Sequence, residues 1–169
     1  MIIGYILEDI KYEQRVAITP EVLKKYKSLG LKILLVKNYG KHLGIEDQEF
    51  KKEGADFADT NEDVINKSNL ILQLNILNDE YLNKLTAGQS LIGILNPFIN
   101  ESKIRKLSDK KINFFSMEFL PRITRAQAMD ILSSQANLAG YKAVVDSFSY
   151  FKKAVPMMMT AAGTISAAK

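Results

Sequence analysis

Cysteine is absent from the 169 residues. That removes disulfides, a thiol nucleophile and thiolate-ligated metals from consideration, and it is compatible with a reducing cytoplasm. Histidine occurs once, as His42, in the glycine-punctuated segment 38–44. A lone histidine in a turn reads as a surface residue rather than a general base. The nine glycines nowhere spell Gly-x-Gly-x-x-Gly, and there is no P-loop pattern. Nothing in the chain therefore matches the usual loop that cradles a pyrophosphate. No apolar run approaches the ~20 residues of a membrane helix. The apolar opening, residues 1–7, is too short and too quickly followed by acidic residues for a secretory signal. Aromatic and basic residues do not interleave as a single-strand nucleic-acid reader requires. The formal charge of +4 is modest, and a pair such as Lys24-Lys25 reads as a solvated helix face, so no nucleic-acid partner is expected.

What is present is core material. Hydrophobic residues make up 47% of the chain and charged residues 25%, enough for one ordinary domain, or one domain and a piece of another. Residues 2–7 read as a buried strand. Thr19-Pro20 reads as a hydroxyl N-cap followed by proline at the first helical position, and Gly30 as the left-handed stop. Residues 31–36 form the next strand. A short helix over 45–52 follows, then one capped by Thr60 with Asp63 three residues on. Beyond these come strands at 70–74, 90–95 and 112–115, separated by helices over 79–85 and 101–107. Helices of this size between strands imply right-handed crossovers. The expected fold is α/β, a Rossmann-like or flavodoxin-like open parallel sheet of about five strands with helices on both faces. A long helix then runs from 134 to about 153, with Leu138, Tyr141, Val145 and Phe148 on one apolar stripe. Ser133 or Ser134 would cap its start, and Lys152 and Lys153 would suit its negative end. This divides the chain into an N-terminal domain, 1–132, and a segment, 133–169, that holds the connecting helix and the start of a further domain. Residues 154–164 read as a hairpin or a tail.

One stretch, 121–134, crowds two guanidiniums, an amide, a carboxylate and hydroxyls together at the seam between these segments. Structural explanations exist for each group. Thr124 to Gln127 fits a capping box, Asp130 can pair with Arg122 or Arg125, and Ser133 can cap the long helix. On residue types alone those explanations are favoured. Arg15 either orders the turn before the first helix or contacts a substrate carboxylate, with the turn favoured.

Three segments carry a resemblance: Arg15-Val16-Ala17-Ile18-Thr19-Pro20, Pro121-Arg122-Ile123-Thr124-Arg125-Ala126-Gln127, and Asp130 through Tyr141, extending through Met157-Met158-Met159-Thr160-Ala161-Ala162-Gly163-Thr164. Together they resemble the alpha subunit of proton-translocating NAD(P) transhydrogenases. The first segment alone is shared with alanine dehydrogenases. The resemblance implies the N-terminal half of an NAD(H)-binding component whose second domain carries the glycine fingerprint. It implies hydride transfer between NAD(H), held in the complete protein, and NADP(H), held on a partner domain, with no metal. It places Arg122, Gln127, Asp130 and Ser133 around the nicotinamide. Arg122 and Asp130 would hold the carboxamide and phosphate region, Gln127 would reach towards NADP(H), and Ser133 would help anchor the ring. Gln127 and Asp130 are the residues implied nearest the chemistry. A carboxamide presents a donor and an acceptor that such a set can match. Hydride transfer needs orientation more than acid or base, so the shortage of histidine is no handicap.

The same resemblance implies a homodimer, the remainder of the alpha subunit and an NADP-binding beta subunit with its membrane domain as partners. The location implied is cytoplasmic, peripheral to the inner membrane through those partners. A non-catalytic docking fragment is the alternative from a different class. An amino-acid dehydrogenase is disfavoured, because the lysine and histidine that alanine dehydrogenases use have no counterparts in Leu72-Gln73-Leu74-Asn75 or Leu95-Asn96-Pro97-Phe98.

Overall fold

The structure, a computed structural model, describes residues 1–168. The chain divides into two compact units, Met1–Pro121 and Arg122–Lys169.

In the first unit, short apolar runs alternate with capped helices and form a parallel sheet. The order of elements is β1 (Ile2–Tyr5), α1 (Pro20–Ser28), β2 (Lys32–Val36), α2 (Asp47–Lys52), β3 (Asp56–Ala58), α3 (Asn61–Lys67), β4 (Leu70–Asn75), α4 (Asp79–Lys84), β5 (Ser90–Ile94), α5 (Glu101–Asp109) and β6 (Asn113–Ser116). All six strands pair in parallel, in the order β3-β2-β1-β4-β5-β6. The chain steps outward from β1 to β3, then crosses back to β4 and continues the other way. Right-handed crossovers on both sides of that reversal put α1 and α2 on one face and α3, α4 and α5 on the other. The fold is a Rossmann-like open sheet, with its topological switch between β1 and β4.

Local chemistry explains most boundaries. Pro20 starts α1, and Gly30 follows it at φ 71, the left-handed region where a Cβ is costly. The Thr60 hydroxyl accepts the Asp63 amide at 3.1 Å and opens α3. Lys110 Nζ donates to the last carbonyls of α4, at 2.6 Å to Asn83, a cation at the negative helix end. The core runs through Tyr5, Leu23, Phe50, Ile71 and Leu91, each fully enclosed. Tyr5, Tyr39 and Phe50 meet edge to face, with ring centroids 6.3 and 5.9 Å apart. The Tyr39 hydroxyl accepts the Ala17 amide at 2.8 Å, which ties the segment before α1 to that core. At Gly4 a Cβ would run into the Ser68 hydroxyl and Val64, so the missing side chain lets α3 lie directly on β1.

Several expectations are corrected. The sheet has six strands rather than about five, because Asp56–Ala58 is an edge strand of only three residues, too short to show a pattern. The first strand ends at Tyr5 rather than Leu7. Thr19 precedes α1 in extended conformation, but its hydroxyl makes no capping bond.

In the second unit, a six-residue 3-10 turn, Thr124–Met129, leads into α6 (Ile131–Tyr150) and then into a hairpin of β7 (Met158–Thr160) and β8 (Gly163–Ile165). Residues 124–127 form no capping box, since the residue before the turn is Ile123 and no side chain caps it. The α6 cap is Asp130, not Ser133 or Ser134. The helix ends at Tyr150, so Lys152 and Lys153 lie past its negative end. Leu138, Tyr141, Val145 and Phe148 are all exposed, and Val144 joins them, so the apolar surface is broader than one stripe.

Candidate functional site

The 122–133 loop is built on the start of α6. A helix leaves its first amides without intrahelical partners, and Asp130 meets that need. Its Oδ1 accepts the Ser133 amide at 3.0 Å. Its Oδ2 accepts the Ser133 hydroxyl at 2.7 Å. The Arg122 Nε lies 4.0 Å from the same Oδ2. Hydrogen bonds from the Ser133 hydroxyl and amide, with the Arg122 charge beyond them, hold the Asp130 carboxyl below its usual range. Asp130 is therefore ionised and fixed in direction, with 17% of its side chain exposed, while Arg122 stands 71% exposed beside it.

Three of the four expected residues thus come together: Arg122, Asp130 and Ser133. Gln127 is exposed on the 3-10 turn, and its carbonyl accepts the Asp130 amide at 3.2 Å. It reaches the cluster through backbone. Ala126 is the buried anchor of the turn, 5% exposed.

The donor and acceptor inventory fits a nicotinamide carboxamide. Arg122 offers N–H groups. The two carboxylate oxygens of Asp130 retain lone pairs after the Ser133 bonds, and the Ser133 oxygen accepts while its proton is given to Asp130. No group of three or more His, Cys, Asp or Glu among the described residues is placed to hold a metal.

A second polar arrangement lies in the first unit, at the carboxyl ends of β1 and β4. It borders a crevice of about 220 Å³ lined by Glu8, Asp9, Tyr12, Glu13, Asn75 and Tyr81, among others. Glu8 Oε1 accepts the Leu74 amide at 2.7 Å and the Asn75 amide at 3.2 Å, and its Oε2 accepts Asn75 Nδ2 at 2.8 Å. Asn75 Nδ2 also donates to Glu13 Oε2 at 3.0 Å. Glu13 grips Arg15 in a fork, at 2.8 Å to Nε and 2.6 Å to Nη2. Arg15 with Asn75 holds the Glu13 carboxyl down at about 2. Arg15 is thereby tied to Glu13 within the segment before α1. Glu8, Glu13 and Asn75 were not singled out as site residues. A charged residue just after the first strand was the one available signal, since Asn75 is 67 residues from Glu8 and 62 from Glu13.

The segments 72–75 and 95–98 contain neither lysine nor histidine. Asn75 is engaged as above, and Asn96 sits after β5 at φ 44, its amide bound by Glu118 Oε1 at 2.5 Å. His42 is a surface residue in a 3-10 turn, its Nε2 2.9 Å from the Gln14 carbonyl.

A parallel sheet of this order, flanked by helices, defines a Rossmann-like α/β protein. A family model described as alanine dehydrogenase/PNT, N-terminal domain, matches residues 5–139, and the chain belongs to that family. It is 40% identical over 166 residues to the first part of the NAD(P) transhydrogenase alpha subunit of Rickettsia prowazekii, covering 96% of this chain and 43% of the relative. It is 39% identical over 162 residues to the protein of the same name from Rhodospirillum rubrum, covering 93% and 42%. The crystal structure of transhydrogenase from Sinorhizobium meliloti superposes with a TM-score of 0.90 at 41% identity, covering 99% of this chain and 50% of that one. The chain spans half or less of the length of these relatives.

Proposed function

We propose that the chain is the N-terminal half of the NAD(H)-binding component of a proton-translocating transhydrogenase, and that its 122–133 loop orients the nicotinamide for hydride transfer to or from NADP(H) on a partner. The observation that carries this is the Asp130 carboxylate, fixed by two Ser133 bonds and flanked by Arg122 at 4.0 Å. Relatives named as transhydrogenase alpha subunits support it.

When bound, the nicotinamide supplies the hydride chemistry itself. The chain's own groups bind and orient. Arg122 donates to the carboxamide oxygen or the neighbouring phosphate, and Asp130 accepts from the carboxamide nitrogen. Ser133 keeps Asp130 in one rotamer. Gln127, exposed on the same turn, would reach towards the partner's nucleotide. None of these residues needs to exchange a proton, and rate comes from holding the ring in an attack geometry. In the assembled enzyme, Arg122→Ala lowers NADH-to-NADP⁺ hydride transfer by roughly a hundredfold. An unchanged single-turnover rate would reject the loop assignment.

The domain border proposed is 132/133, with α6 serving as the connection to a nucleotide-fingerprint domain. Partners proposed are the rest of the alpha subunit, an NADP-binding beta subunit with a membrane domain, and a second copy of this chain. The location proposed is cytoplasmic, at the inner membrane through those partners. No helix among the described residues is long and apolar enough to cross a membrane, so attachment would come from them. A second copy is supported by the exposed Tyr141 and Phe148 of α6 and by Met159 of the hairpin, 83% exposed. Light scattering on the purified chain is expected to give twice the monomer mass, and a monomer at high micromolar concentration rejects the dimer.

A further inference from the structure

The segment after β5 carries two of the most exposed apolar side chains of the first unit, Phe98 at 88% and Ile99 at 86%. A single exposed apolar residue needs no explanation, but here two stand side by side on a backbone that is tied down at several points. Glu118 accepts the Asn96 amide at 2.5 Å through Oε1 and the Leu95 amide at 3.3 Å through Oε2. Asn100 Nδ2 donates to the Leu95 carbonyl at 2.9 Å and to the Asn96 carbonyl at 3.3 Å. The Asn96 carbonyl also accepts the Ile99 and Asn100 amides, at 3.0 and 2.9 Å. The apolar tip is thus ordered before anything touches it, which lowers the entropy cost of binding there.

The Phe98 and Phe119 rings meet edge to face, with centroids 5.6 Å apart. With Asn96, Pro97, Ile99 and Glu118 they line a crevice of about 180 Å³. At ~30 Å³ for each water-sized volume, that is room for a group of about six heavy atoms. Glu118 is its one charged wall, and among the described residues no cationic side chain lines it. Each Glu118 oxygen takes a single backbone amide and keeps a lone pair. We propose that this crevice binds an alkylguanidinium, the head and stem of an arginine side chain, with the guanidinium on Glu118 and the stem against Phe98 and Phe119. A guanidinium is planar and weakly hydrated, stacks on aromatic faces and donates to a carboxylate, so one group satisfies both kinds of wall. The rival ligands each fail one wall. A metal cation needs several oxygen ligands, and this crevice is mostly apolar. An anion meets the Glu118 charge, and a neutral apolar group leaves that charge without a counterpart. The crevice shares no residue with the Asp130 cluster, so the nicotinamide assignment of the 122–133 loop stands or falls separately.

Propylguanidinium titrated against the full chain, followed by NMR on the Asn96 backbone amide and the Phe98 ring, gives the test. Propylurea, of the same shape without the charge, is the control. The wild-type protein is expected to show a saturable shift with a dissociation constant of roughly 1–10 mM, and none with propylurea. Glu118→Gln keeps the length and removes the charge, and is expected to weaken binding at least roughly tenfold. Phe98→Ala removes a side chain that is 88% exposed, so circular dichroism is expected to match wild type while binding weakens by roughly fivefold or more. Arginine capped as its N-acetyl methylamide identifies the source of the ligand. Binding as tight as that of propylguanidinium supports an arginine of a partner protein, and propylguanidinium binding alone supports a free small molecule. The proposal is overturned by the absence of a saturable shift up to roughly 50 mM, by equal affinity for propylurea, or by unchanged affinity in Phe98→Ala or in a folded Glu118→Gln. If Glu118→Gln does not fold, Phe98→Ala and the propylurea control decide.

Discussion

Asp130→Ala in the assembled enzyme is expected to lower hydride transfer by roughly a hundredfold or more, because a ring held about 1 Å out of place loses that much. Alanine removes two things at once. It deletes the cap of α6, whose Ser133 amide then lacks its acceptor, and it deletes the charge that faces Arg122. Asp130→Asn separates them. Asparagine is as good a cap as aspartate, so the helix start is retained, and circular dichroism is expected to match wild type. The carboxamide still accepts the Ser133 amide but no longer attracts Arg122 or holds the Ser133 hydroxyl with a full charge. Transfer in Asp130→Asn is therefore expected to stay close to that of Asp130→Ala. Full activity in Asp130→Asn would mean that Asp130 serves only to start the helix. The pair of variants distinguishes a cofactor-orienting carboxylate from an ordinary cap without relying on loss of fold.

The chain by itself is expected to bind NADH too weakly to detect at micromolar concentrations. Dinucleotide affinity in Rossmann-type proteins comes largely from a pyrophosphate resting on backbone N–H groups at a helix start, reached by a tight glycine turn. The connection after β1 lacks the glycine turn and one of the amides. It runs from Ile6 to Thr19 with no glycine, and α1 opens with Pro20, which has no N–H to give. The crevice beside it is lined by Glu8, Asp9 and Glu13, a poor surface for a diphosphate. What remains is the 122–133 loop, with the exposed guanidiniums of Arg122 and Arg125 and a carboxylate already bound to Ser133. Those groups orient a ring better than they retain a cofactor. Fluorescence titration with NADH measures this directly. A dissociation constant at or below about a micromolar would show that the affinity resides in this half and would reject the division of labour proposed between binding and orientation.

Some of this was legible in the residues. The alternation of short apolar runs with capped helices gave α/β and a parallel sheet, since each signal lies within a few residues of its effect: Pro20 and Gly30 around α1, Thr60 at α3. The loop at 121–134 was visible as a crowd of polar side chains. Its internal order was not. Thr124 to Gln127 has the spacing of a capping box but forms a 3-10 turn, and Asp130 rather than a serine starts α6, because the backbone enters that helix one turn earlier than the apolar spacing suggested.

By itself the sequence determined the fold class, the missing pyrophosphate loop and the membership of the polar stretch around Asp130, all of which rest on near neighbours along the chain. Only the tertiary structure decided the three-residue edge strand, the reversal of strand order between β1 and β4, and the meeting of Glu8, Glu13, Arg15 and Asn75. The physical reason is range. Hydrogen bonds across the sheet join groups more than sixty residues apart, and no local propensity records which distant amide a carboxylate will find once the strands are paired.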